Sequence, residues 1–153
     1  MRRDYVTLTV RLPDRDETDI PAVELAFDGP LDQLEGRLQD ADGTPRQGDD
    51  VDVAYRLQTP MEAENPAGVF SITDRLTGEY LLEANAEAEQ VLDLVAAARA
   101  TDERGDGPDG CYRVELHDDG DRTWTFEKET LLVYDHEGSL LRKESLIPSG
   151  IEL

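Results

Sequence analysis

The sequence predicts an α+β fold. It reads as a mainly antiparallel β-sheet of about eight or nine strands, in one curled sheet or two layers, with two helices against it. Three observations lead there: apolar and polar residues alternate through most of the chain, two segments switch to helical spacing, and turn residues recur at short intervals. A β-sandwich carrying two helices is the alternative. Residues 1–153 read as a single domain, because no repeat and no linker divides them.

The first element lies in "DYVTLTVRLPD", where Val6, Leu8, Val10 and Leu12 share one face and Thr7, Thr9 and Arg11 the other. Arg2-Arg3 precede it, but the alternation leaves no apolar run of about 7–15 residues for an export signal. Val23, Leu25 and Phe27 mark a second strand. In "DGPLDQLEGRLQ", Pro30 occupies a favourable first helical position, and Leu31, Leu34 and Leu38 form a stripe. Gly36 weakens this helix by about 1 kcal/mol relative to Ala, so it depends on packing.

Val51, Val53, Tyr55 and Leu57 alternate as a third strand, and Phe70 with Ile72 as a fourth. "TDRLTGEY" turns the chain at Thr77-Gly78 into the strand around Leu81. The second helix is "AEAEQVLDLVAAARA", capped by Asn85, with Glu87 and Glu89 at its positive end and Arg99 near its negative end. Val91, Leu92, Val95 and Ala98 make its buried side. A meander of four strands follows: Tyr112, Val114 and Leu116; Trp124 and Phe126; "LLVY" at 131–134; and "SLLRK" beyond the "DHEG" turn. The unbroken run "LLVY" marks the candidate central strand, since only a strand covered on both faces lacks alternation.

Charge sets the setting. There are 36 acidic residues against 15 basic ones, for a formal net charge of −21, and Lys128 and Lys143 are the only lysines. Such a surface suits concentrated salt, where screening falls to about 3 Å and self-repulsion costs little. Direct nucleic-acid binding is excluded by the lack of clustered Lys and Arg. With Cys111 alone, no intrachain disulfide forms, and a reduced, cytoplasmic location is expected. No run approaches the roughly 18 apolar residues of a membrane span.

No motif calls for a cofactor or metal. "HDDGDR", "DRDETD" and "DERGDGPDG" do not keep the carboxylate spacing of a calcium loop, and read as turns that gather diffuse hydrated cations. Cys111 and His117 lie six apart on one strand, about 20 Å at 3.3 Å per residue, beyond shared ligation. "GDGPDG" leaves a helix and enters a strand, the reverse of a dinucleotide site, and neither a P-loop nor a nucleophile elbow occurs.

Two features depart from the background. The last 16 residues, "GSLLRKESLIPSGIEL", sum to zero charge and are rich in Leu and Ile. Leu140, Leu141, Arg142, Lys143, Leu146 and Ile147 therefore form a candidate partner surface. Arg56 and Arg75 are the candidate contacts for an anionic ligand, whose pocket would lie between helices and sheet.

The opening "MRRDYVTLTV", the middle "VDVAYRLQ…GVFSITDRLTGEYLLEAN" and the close "LLVYDHEGSLLRKESLIPSGIEL" resemble a haloarchaeal family of small proteins of unknown function. The resemblance implies a salt-rich cytoplasm and brings no activity or site residues. The hairpin "LLVYDHEGSLL" is also similar to sheet hairpins of roadblock and PAS-like modules. The function expected is a non-catalytic interaction or adaptor module that self-associates or binds a protein partner. A small anionic-ligand binder or enzyme is the alternative, and an acidic mimic of nucleic acid the second.

Overall fold

A computed structural model describes residues 6–12, 20–27, 51–103, 111–117 and 123–147. Its strands are β1 (Val6–Arg11), β2 (Ala22–Phe27), β3 (Val51–Leu57), β4 (Ala67–Asp74) and β5 (Tyr80–Glu87), then β6 (Tyr112–His117), β7 (Thr123–Lys128) and β8 (Leu132–Tyr134). Helix α1 (Ala88–Glu103) lies between β5 and β6. The first predicted helix, over 28–39, lies outside the described residues, as do the "HDDGDR" turn from Asp118 on and the chain beyond Ile147.

The eight strands form two four-stranded sheets, ordered β1-β2-β6-β7 and β5-β4-β3-β8. Alternation placed the strands correctly. Val23, Leu25 and Phe27, Val51, Val53, Tyr55 and Leu57, and Tyr112, Val114 and Leu116 are all buried. The inner faces of both sheets and the buried side of α1 join in one apolar cluster. Edge strands β1 and β5 run beside each other, and α1 packs across them.

Three expectations need correction. Both sheets are mixed rather than antiparallel throughout, because β2 pairs with β6 and β3 with β8 in parallel. Their outer faces remain partly wet, so these strands alternate as antiparallel ones do, and the pattern hid their direction. The predicted four-strand meander is split: β6 and β7 return to the first sheet, β8 joins the second, and "SLLRK" forms no strand, only a single bridge at Leu140. "LLVY" is an edge strand, not a central one. Its outer side is covered by the chain's own return, through bridges Tyr134↔Leu140 and Leu131↔Leu146.

Helix α1 starts later than expected. β5 runs on to Glu87, so Asn85 is a strand residue, and the helix entrance is held by Glu87 N–H donating to Gln90 Oε1 at 3.1 Å. Leu94, not Leu92, joins Val91, Val95 and Ala98 on the fully buried side. The turn chemistry is as expected. Asp74 Oδ1 accepts from the amides of Leu76 and Thr77, Asp135 Oδ1 accepts from those of Glu137 and Ser139, and Gly78 and Gly138 take the left-handed φ of 73° and 88° that glycine tolerates.

Candidate functional site

The outer face of the second sheet carries a groove, and its shape follows from side-chain size. The ladder sets outward residues in rows across three strands: Arg56, Val69 and Asn85 form one row, and Ala54, Ser71 and Glu83 the next. The middle strand, β4, presents Ala67, Val69 and Ser71, which are short. Its neighbours present Arg56 on β3 with Gln58 just beyond it, and Glu83, Asn85 and Glu87 on β5, which are long. A trough therefore runs along β4, about 10 Å wide from strand β3 to strand β5.

Gly68 supports the floor. It pairs with Leu57 where β3 and β4 approach closely, and a Cβ there would overlap the Arg56 carbonyl oxygen. Only glycine fits that approach.

One concavity of the trough, about 480 Å³, is lined by Arg56, Gln58, Ser71, Tyr80, Glu83 and His136 among others. A second, about 340 Å³, is lined by Gln58, Gly68, Asn85, Glu87 and Gln90 among others. Gln58 lines both, so the two adjoin at that residue. Strict alternation would have turned Tyr80 inward. A register shift between Ile72 and Thr73 changes the phase, so Leu81 and Leu82 are both buried and Tyr80 emerges 57% exposed at the groove. The Asp135–Ser139 turn forms the far wall, with His136 on it, and the Arg56 guanidinium packs close over Gly138.

Arg56 is distinct among the described arginines. Arg11 bonds Glu24 and Glu115, Arg75 bonds Asp52, and Arg99 bonds the carbonyls of Lys143 and Ser145. Arg113 and Arg142 also have partners. Among the described residues, the Arg56 guanidinium makes no hydrogen bond and no ion pair. Of the two predicted ligand contacts, Arg56 is thus in a concavity, while exposed Arg75 holds Asp52 at 3.0 Å and lines neither.

The predicted partner surface is largely built into the fold. Leu146 is buried in the core, and its amide and carbonyl both bond Leu131. Leu141 packs against the same cluster, and Leu140 and Ile147 are half-buried. Ser145 is buried too, accepting from Val133 N–H at 2.9 Å and donating to the Leu141 carbonyl at 2.7 Å. Arg142 and Lys143 stand exposed on the intervening turn.

A charged constellation on the first sheet was not foreseen. Parallel pairing sets Glu24 directly beside Glu115, and Arg11 clamps both carboxylates at 2.7 Å. His117 lies close enough to both to complete a three-ligand set for a divalent cation, in competition with Arg11. Cys111, half-buried before β6, takes no part in it.

No helix among the described residues is long and apolar enough to cross a membrane. The model of a family described as a family of unknown function (DUF5793) matches residues 1–153. No curated protein and no solved structure matches the chain. The chain belongs to that family.

Proposed function

We propose that this member of the family binds a small anionic ligand in the groove over β4, with Arg56 as its anchor. The observation that carries the reading is a guanidinium without a partner, facing a concavity, in a chain of net charge −21. Where acids outnumber bases so heavily, carboxylates are plentiful around any arginine, and one that pairs with none of them is open to an incoming anion. The concavity falls within the usual size range for small-ligand sites. A salt-rich cytoplasm is part of the proposal, since the acidic composition and the sequence resemblance both support it.

One cation supplies limited affinity, so the dissociation constant for inorganic phosphate should be on the order of 1 mM, or about −4 kcal/mol. Two-dimensional amide NMR with phosphate, sulfate and acetate in roughly 1 M KCl, where screening is about 3 Å, tests it. Shifts should concentrate on residues 54–58, 69–71 and 136–139, and Arg56→Gln should weaken binding about tenfold or more. Equal binding by Arg56→Gln would overturn the proposal.

A second reading keeps the non-catalytic protein-binding module but moves its surface. Leu76, at the tip of the β4–β5 hairpin, is 96% exposed. Leu76 and the exposed Tyr80 of the same hairpin supply the apolar contact this reading needs. Sedimentation of Leu76→Ser against wild type tests this: an unchanged association state removes the self-associating version.

A further inference from the structure

The composition of the whole trough says more about its ligand than Arg56 does alone. Beyond Arg56 the lining changes to amides and carboxylates: Gln58 at the junction, then Asn85, Glu87 and Gln90, with Glu83 across the floor. Among the described residues, the side chains of Gln58 and Asn85 make no hydrogen bond within the protein. Gln90 uses its Oε1 at the helix entrance and keeps its amide N–H₂.

Carboxylates on the walls reject a second negative group, which excludes polyphosphates and nucleic-acid strands. Carboxylates accept hydrogen bonds from hydroxyls, and side-chain amides both donate and accept. The groove also lies on the face of a sheet whose backbone groups are already paired within it, so it offers side chains rather than a strand edge to a ligand. That disfavours an extended peptide.

Building on the reading of Arg56 as an anion anchor, we infer that the ligand is a sugar phosphate. Its phosphate sits at Arg56, and its hydroxyl-bearing body lies toward Asn85 and Glu87. The row Arg56–Val69–Asn85 sets the two ends about 10 Å apart between backbones, and the longer side chains close that span. Val69, Ser71 and Ala67 leave the floor low enough for the body to lie flat.

Amide NMR titrations with inorganic phosphate, ribose and ribose 5-phosphate, on wild type, Arg56→Gln and Asn85→Ala, test the inference. Asn85 is exposed on β5, so its truncation leaves the core intact. Ribose 5-phosphate should bind about tenfold tighter than phosphate, and Asn85→Ala should remove most of that gain while leaving phosphate binding unchanged. Arg56→Gln should weaken both phosphate-bearing probes. If ribose 5-phosphate binds no tighter than phosphate while phosphate still shifts Arg56, the sugar inference falls and the anion site stands. If no probe shifts the groove, both fall. A trialanine peptide that binds tighter than ribose 5-phosphate would replace the sugar with a peptide carboxylate.

Discussion

Replacing Ser145 with Ala removes one oxygen, yet it should cost far more than a surface change. The return segment runs antiparallel to β8 but out of step with it. Bridges Tyr134↔Leu140 and Leu131↔Leu146 differ in register, and the turn at 142–144 takes up the excess. At the mismatch the Ser145 hydroxyl stands in for a missing backbone partner, accepting from Val133 N–H and donating to the Leu141 carbonyl. Val133 is 0% exposed and Ser145 2%, so water does not replace the hydroxyl. The lost bond to Leu141 is worth about 1 kcal/mol, and the stranded Val133 amide about 1–3, for a total of about 2–4 kcal/mol. For a chain of this size that lowers Tm by roughly 4–16 °C. Urea and thermal unfolding followed by circular dichroism, at one fixed KCl concentration, measure it. A loss below about 0.5 kcal/mol, the scale of an ordinary surface change, would refute the account of the C-terminal segment as part of the sheet.

Gly68→Ala should destabilise by about 3 kcal/mol, because its Cβ meets backbone of β3, which no rotamer change relieves; wild-type urea stability would show that the strands separate at little cost. Burial, with the Glu87 charge secondary, raises the Tyr55 phenol above its ordinary 10.0, and burial alone raises Tyr112. Both folded-state values exceed the unfolded one, so their contribution is complete below about pH 10 and is lost as the pH rises beyond it. A pH titration of urea stability should therefore fall above pH 10, less steeply in Tyr55→Phe; identical slopes would contradict this. Arg11→Ala leaves Glu24 and Glu115 adjacent and unneutralised, so it should cost about 1 kcal/mol at low salt and less in molar KCl. The same variant should gain stability from added Mn²⁺ or Zn²⁺ through His117, visible as a Tm increase that wild type lacks; equal responses would deny the site.

Most strands were legible in this chain because they have one dry face and one wetter one, and alternation reports that directly. Pairing was not. A strand such as "AVELAF" reads the same whether its neighbour runs parallel or antiparallel, so the β2–β6 contact, and with it the Glu24–Glu115 pair, left no local trace. "LLVY" lacks alternation because the return of residues 140–146 and the core together cover it, which looks in sequence like a central position. Asn85 resembles a helix cap, but the strand before it continues through Glu87.

The groove was partly visible. Arg56 stood out because cations are scarce, and the structure shows it in a concavity without a partner. The depth of that concavity was written in "AGVFSITD" as short residues at the outward positions of β4, a signal that acquires meaning only once long side chains are known to flank it. Tyr80 could not be placed from sequence, since one register shift decides which face it takes.

Crystals of the protein grown with ribose 5-phosphate in molar KCl test the central claim most directly. The account expects the phosphate within about 3 Å of the Arg56 guanidinium, the hydrogen-bond range, with the sugar over Val69 and toward Asn85. A phosphate bound instead at the exposed Arg142–Lys143 turn, or a trough filled only by solvent at saturating ligand, would contradict it.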